Sequence, residues 1–355
     1  MKKILFITGS INQTTQMHQI ANELPEFDCW FSQLFTDNAP LNYILNNTKL
    51  FNGTVLSNKF RIISEEYLNN HGLQIDFAAR KNQYDLVVFC TDLIVPQRMR
   101  KTKTIWVQEG MIDRYTPWSH IVRNLKLPPT LCGNTSLNGS SNRCDIYCAA
   151  SEGYRQYFAG KGTPKSKIVV AGMPNYDNLA QHVNNDFPHH GYVMVATTDM
   201  RETFRFENRI AFIKKAVAIA NGRPLLFKLH PNENAERAEK EIKANTPAGT
   251  LVYAKGNTNH MIANSVELIT QYSTVVYTGI ALGKKVHSLF DVDELKRLTP
   301  VQNGGTSAKN IAALCRDYIN YNGAAENYDP IMALAQHQAR EEANLQLKPE
   351  LVETW

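Results

Sequence analysis

Four short stretches set residues able to do chemistry at the end of an apolar run. IWVQEGMIDRY, residues 105–115, closes such a run with Gln108, Glu109 and Gly110. A carboxylate at a strand end, followed by a glycine that lets a ligand approach, suits a general acid or base. The plain alternative is a solvated glutamate on a surface turn. MVATTDMRE, residues 194–202, bunches Thr197, Thr198, Asp199, Arg201 and Glu202. Asp199 either caps a helix, with Glu202 three residues on as in a capping box, or stands in a cleft as nucleophile or base.

LLFKLHPNE, residues 225–233, stops at Lys228, His230 and Pro231. Strand alternation puts Lys228 and His230 on one face. Pro231 suits the first turn of a helix, and the free N–H groups of a helix start favour an anion. A histidine there can donate to a phosphate oxygen, with Lys228 adding charge; the alternative is a satisfied core or cap histidine. LITQYSTVVYTGIALGKK, residues 268–285, reads as a strand, then Ser273-Thr274, then a helix stopping at Gly283. Those hydroxyls cap the helix and can also bind phosphate. The two features fall on strand–helix units of one domain, side by side, and together describe a seat for a nucleotide phosphate.

LVYAKGNTN, residues 251–259, lies between them in sequence. Its end holds a base through backbone groups, with Tyr253 or Lys255 alongside, or is an ordinary loop. In the first half, Arg114 and Tyr115 offer contacts for a substrate carboxylate or sugar. FITGSINQ, residues 6–13, ends a strand in Gly9-Ser10 without a GxGxxG fingerprint, so a dinucleotide site is not supported. Asp291-Val292-Asp293 has the form of a metal-binding DxD, but acids are common in a first helical turn and it is read as one. No metal and no cofactor is expected.

The elements that must position these residues alternate along the chain. Apolar runs at 3–9, 85–91, 104–110, 145–151 and 167–172 read as strands buried on both faces. Helical patterns lie between them, as at Thr15–Leu24 and Ser57–Asn69. A polar connector at 174–191 is followed by strands at 192–198, 224–230, 250–256, 267–273 and 284–290, with helices at 203–220, 234–245, 257–264 and 274–283. Two such series imply an α/β protein with two Rossmann-like domains of parallel strands facing across a cleft, ligands lying beyond the strands' carboxyl ends. The expected domains are 1–180 for the acceptor, 190–327 for the nucleotide-sugar, and a terminal helix and tail at 328–355. The long loop at 128–144, rich in Pro, Gly, Ser and Asn, is a candidate functional loop.

With 355 residues, two domains are the default. A chain 43% hydrophobic and 20% charged is neither disordered nor fibrous. The net charge of +5 suits an anionic small substrate or contact with acidic lipid. Basic residues cluster only at Arg98–Lys103 and Arg237–Lys243, too sparsely for nucleic acid. The opening MKKILFITGS is too short in apolar residues for a secretory leader, and no run reaches membrane-span length. A cytoplasmic protein is expected, with a lipid-linked acceptor compatible with peripheral contact at the inner membrane. Cys144 and Cys148 lack a second metal-spaced pair and read as buried thiols; the sequon at Asn52 then carries no meaning.

The two-domain pattern resembles the GT-B glycosyltransferases. Gln108-Glu109-Gly110, His230-Pro231 and Ser273-Thr274 resemble three motifs of bacterial transferases that use CMP-activated keto-acid sugars, the sialyltransferases, polysialyltransferases and Kdo transferases of capsule and lipopolysaccharide assembly. Gln108 departs from the acidic first position of that motif. Asp199, about thirty residues before His230, looks like the strand-end nucleophile of the retaining β-Kdo transferases. CDP-glycerol-type polymerases and UDP-GlcNAc 2-epimerases share parts of the pattern. The resemblance implies a metal-independent glycosyltransferase moving Kdo from CMP-Kdo to a bacterial glycan or glycolipid. Asp199 and Glu109 would then be catalytic. Lys228, His230, Pro231, Tyr253, Lys255, Ser273 and Thr274 would hold the nucleotide. Gly9, Ser10, Gln108, Gly110, Arg114, Thr198 and Arg201 would meet sugar or acceptor. A UDP-sugar epimerase and a non-catalytic nucleotide- or glycan-binding module are the alternatives.

Overall fold

In the computed structural model the described residues are 1–37, 43, 58–202 and 206–347. The sequon at Asn52, the start of the helix expected from Ser57, residues 203–205 of the helix expected over 203–220, and tail residues 348–355 lie outside them.

Each apolar run becomes a short parallel strand. The first unit comprises Met1–Asp177 and Asn303–Trp355. Its strands are β1 (Lys3–Thr8), β2 (Asp28–Gln33), β3 (Gln74–Ile75), β4 (Leu86–Phe89), β5 (Lys103–Val107), β6 (Ile146–Ala149) and β7 (Ile168–Val170). They form one sheet in the order β3-β2-β1-β4-β5-β6-β7. Every pairing is parallel, with Ile4 opposite Leu86 and Ile105 opposite Ile146. Leu86–Phe89 is fully buried, as strands covered on both faces require. Helices α1 (Ile11–Asn22), α2 (Asn58–Asn70), α3 (Pro117–Asn124) and α4 (Glu152–Gly160) connect them.

The second unit is Asn178–Gln302. Its strands are β8 (Val193–Ala196), β9 (Leu225–Lys228), β10 (Leu251–Tyr253), β11 (Glu267–Thr270) and β12 (Lys285–His287). They are parallel, in the order β10-β9-β8-β11-β12. Helices are α5 (Arg209–Ala220), α6 (Ala235–Asn245), α7 (Thr258–Asn264), α8 (Val275–Ala281) and α9 (Val292–Leu298). Val193, Val195, Phe227 and Ile269 pack with Phe212 and Ile213 of α5 and with Ile242 of α6. The fold is α/β with two Rossmann-like units. In each, strand order reverses beside the first strand, at β1/β4 and at β8/β11, which is where such sheets bind ligands.

The chain returns to the first unit at Asn303. Helices α10 (Ser307–Asn320) and α11 (Pro330–Leu347) follow. Ile311, Cys315 and Tyr318 join the core formed by Ile4, Phe6, Val88, Ile105 and Cys148. Residues 303–327, expected with the second domain, therefore group with the first.

All ten expected strands are present. β2 escaped notice because DCWFSQ is polar at both ends and only its second half is buried; β3 is two residues long. Two expected helix starts differ. The helix after His230 begins at Ala235, not Pro231, and is capped by Asn234, whose side chain accepts from Arg237 N at 2.9 Å. Pro231 sits instead in a turn closed by Glu233 N donating to His230 O at 3.0 Å. Asp199 caps no helix: α5 begins at Arg209, capped by Asn208. The Asp291-Val292-Asp293 stretch is a cap, its first carboxylate accepting from Asp293 N and Glu294 N at 2.9 and 3.0 Å.

Candidate functional site

In the first unit the site grows from the start of α1. Ser10 caps this helix in a capping box with Gln13, and Gln13 Oε1 accepts from Gly9 N at 2.7 Å. Two side-chain amides of the first turn, Asn12 and Gln13, reach the end of β5. Asn12 Nδ2 donates to one oxygen of Glu109, and Gln13 Nε2 donates to the other at 3.2 Å. Glu109 is half-buried, and its carboxylate is fixed in orientation by two amides. Tyr176 and Cys90 lie close enough that burial, with Glu109 second, pushes their ionisations up.

Gln108 does not face a ligand. It is fully buried. Its Oε1 accepts from Ala150 N at 2.9 Å and its Nε2 donates to Gly110 O at 3.0 Å. A carboxylate could not make the second bond. The amide at this position is thus a clamp between the ends of β5 and β6, which corrects its assignment as a sugar contact. Gly9 is buried within the turn, while Arg114 is exposed on the loop after Gly110.

Asp92, two residues past Cys90 at the end of β4, escaped the sequence reading, although looking just past each strand would have found it. It is fully buried, and burial pushes its carboxyl up against bonds from Ser141, Gly139 and Tyr147. Ser141 Oγ donates at 2.6 Å, Gly139 N at 2.8 Å and Tyr147 Oη at 3.1 Å. Gly139 has φ +76°, and a Cβ there would come within 2.8 Å of Trp106 and 2.6 Å of Phe158, so only glycine fits. The long loop at 128–144 is therefore pinned at this point onto Asp92.

In the second unit, β8 is central and β9 and β11 flank it. His230 and Ser273 thus sit on either side of the β8 end, Thr197–Asp199, not on adjoining strands as expected. Asp199 Oδ2 accepts from Asn232 Nδ2 at 2.8 Å. Asn232 N donates to His230 Nδ1 at 3.2 Å. An accepting Nδ1 leaves the proton of a neutral imidazole on Nε2.

Beneath these residues lies a buried ionic network that the sequence reading missed. Glu233 accepts from His230 N at 2.9 Å and from the Thr197 hydroxyl. Arg209 donates to Thr198 O at 2.9 Å and pairs with Glu233 and Glu207. All three ionic side chains are 2% exposed or less. Arg201, assigned to sugar binding, holds Glu241 with two bonds of 2.9 Å and lies 3.4 Å from Glu207, so this guanidinium is part of the scaffold. Thr198 is also buried, 3.5 Å from Gln271 Oε1. The network ties the ends of β8 and β9 together.

Other assigned nucleotide contacts are engaged elsewhere. Lys228 is 5% exposed, and its Nζ donates to Leu229 O and Ala254 O at 2.8 and 3.1 Å. Burial pushes its ionisation down, with Glu233 opposing. Tyr253 Oη meets His189 Nε2 at 2.9 Å, and its ring packs on Phe187. Lys255 and Pro231 are exposed. Ser273 Oγ accepts weakly from Val275 N at 3.4 Å, and Thr274 occupies the cap position of α8 without a side-chain capping bond. Beside β11 a cavity of about 300 Å³ is walled by Phe206, Phe212 and Leu289 and edged by Asn208, Gln271 and Ser288. Among the described residues no group of three or more His, Cys, Asp or Glu could hold a metal ion, and no helix is long and apolar enough to cross a membrane.

No family model matches the chain, and no curated protein matches it in sequence. Solved structures do. An S. aureus MnaA–UDP co-structure aligns with a TM-score of 0.55 at 13% identity, over 90% of this chain and 97% of that one. The UDP-GlcNAc 2-epimerase of Neisseria meningitidis bound to UDP-GlcNAc gives 0.53 at 12% identity, over 89% and 100%. The Methanocaldococcus jannaschii UDP-GlcNAc 2-epimerase in complex with UDP-GlcNAc and UDP gives 0.53 at 14%, over 88% and 99%. The fold is of the GT-B type. At these identities the likeness concerns the fold alone.

Proposed function

We propose that this chain is an enzyme acting on a nucleotide-sugar, with the nucleotide held at the carboxyl edge of the second unit's sheet. The observation that carries this reading is the crevice at β8/β11, where strand order reverses beside a cavity of about 300 Å³. Apolar walls with a few polar edges suit a flat base. His230 Nε2–H and the Ser273 hydroxyl, on either side of the β8 end, supply donors for phosphate oxygens. Among nucleotide-sugars we favour a UDP-sugar and epimerisation at a ring carbon, because the solved structures of like fold hold UDP or UDP-GlcNAc. Epimerisation removes a ring hydrogen as a proton and returns one on the other face. Glu109, held by Asn12 and Gln13, is the acid–base group offered.

A second reading is favoured by Asp199, whose carboxylate caps no helix and stands beside His230. It is retaining transfer of Kdo from CMP-Kdo to a bacterial surface glycan, with Asp199 as nucleophile and Glu109 as acid–base.

Calorimetric titration with UDP, CDP and CMP, followed by incubation with UDP-GlcNAc in deuterated water, tests both. Tightest binding of UDP with deuterium uptake at an inverted carbon supports epimerisation. Tightest binding of CMP, with label-free retaining transfer from CMP-Kdo, supports the second reading. Failure to bind any of the three rules out both.

A further inference from the structure

The Arg98–Lys103 cluster has no part in the site described above. Arg98 pairs with Asp37 at 3.3 Å and covers the Phe35 ring at 4.9 Å. Lys103 donates to the carbonyls of Tyr318 and Ile319 at 2.8 and 3.2 Å. Arg100 does neither. It lines a cavity of about 400 Å³ in the first unit, together with Arg143, Thr130, Gln97, Thr36 and Asp37. These residues come from the segments after β2 and β4 and from the long loop before β6, at the carboxyl edge of the sheet where ligands of such folds collect.

Arg143 is the telling residue. It is only partly exposed, yet among the described residues its guanidinium makes one bond, from NH1 to Leu93 O at 3.4 Å. A guanidinium carries five N–H donors. Asp92, the carboxylate that acts on it electrostatically, already accepts from Ser141, Gly139 and Tyr147. Both arginines line the one cavity, and burial and then Arg100 push the ionisation of Arg143 down. Among the described residues no carboxylate forms an ion pair with either, and Asp37 is neutralised by Arg98.

We propose that this cavity is an anion site for a small molecule carrying a phosphate or carboxylate group, gripped by Arg100 and Arg143. Planar guanidinium forks match the paired oxygens of both groups, and the loss of mutual repulsion on binding adds to the attraction. Only the role of the occupant as the charged group of an acceptor rests on the second, transferase reading; the site itself does not.

The test uses the whole protein without nucleotide, titrated with inorganic phosphate and with malonate, and glucose as the neutral control. Binding of phosphate but not malonate assigns a phosphate ligand, and the reverse a carboxylate ligand. Arg100→Gln, at an exposed position, should weaken binding about tenfold, and Arg100→Gln with Arg143→Gln should remove it. Melting temperature and nucleotide affinity should stay at the wild-type values in Arg100→Gln. Arg143→Lys, which keeps the charge but not the fork, should weaken binding less than Arg143→Gln. No binding of either anion at millimolar concentration, or equal binding by wild type and both arginine variants, overturns the site. Loss of nucleotide binding alone would instead count against the nucleotide assignment.

Discussion

Asp199 Oδ2 stands 3.6 Å from His230 Nδ1, beyond hydrogen-bond length, and Asn232 holds the two at that spacing by bonding to both. The imidazole is thereby oriented with its proton on Nε2, and the Asp199 carboxylate is fixed beside it. Asp199→Ala should abolish turnover and leave nucleotide affinity nearly intact. Asn232→Ala should lower kcat by about tenfold, because it removes the side-chain bond to Asp199 while the backbone N–H still holds His230. Nucleotide affinity lost with turnover preserved in Asp199→Ala would reverse the assignment.

Gln108 offers a test of the departure from an acidic motif. Gln108→Glu places a carboxylate where Gly110 O needs a donor. A loss of about 1–3 kcal/mol is expected, read as a lower melting temperature that recovers as pH falls and the new acid protonates. An unchanged melting temperature would show that the amide is not a clamp.

The pair of Glu233 and Arg209 carries a larger stake. Glu233→Ala leaves a buried arginine with Glu207 as its remaining ion-pair partner among the described residues and should cost about 3–5 kcal/mol. Glu233→Gln with Arg209→Met should cost less than the sum of the single changes, since the two touch. Equilibrium denaturation of the four proteins measures that coupling.

Acid should act through Glu267. Burial favours its neutral form, yet His287, Lys285 and Arg223 hold the carboxyl at about 2, below its ordinary 4.5. A depressed carboxyl contributes stability above its unfolded value and loses it as pH falls through the folded one. The melting temperature should therefore drop between about pH 4.5 and pH 2, and Glu267→Gln should flatten that limb while lowering stability at neutral pH. A variant whose acid limb parallels the wild type would contradict this.

The strands were legible because runs such as LVVF and VMVA are continuous, short and apolar, which leaves parallel, doubly covered strands as the simple solution. The strand-end positions of Glu109, Asp199 and His230 were legible for the same reason: each follows such a run. What local sequence could not show was the use of side chains across the sheet. Arg201 and Lys228 look like ligand contacts until Glu241 and the Ala254 carbonyl, far along the chain, are seen to hold them. Asn232 and Glu233, inside the quoted HPNE stretch, were hidden by the neighbouring proline, which suggested a helix turn four residues before the helix begins at Ala235. The return of α10 to the first sheet was hidden too, because an amphipathic helix does not say which sheet it covers.

That return has a consequence for how the protein is made. Ile311, Cys315 and Tyr318 belong to the core under the first sheet, yet they leave the ribosome after every strand of both sheets. The second unit, Asn178–Gln302, has its whole set of strands and helices available earlier. Folding during translation should therefore finish the middle of the chain before its beginning, and a nascent chain stalled before residue 303 should expose the apolar underside of a sheet translated long before.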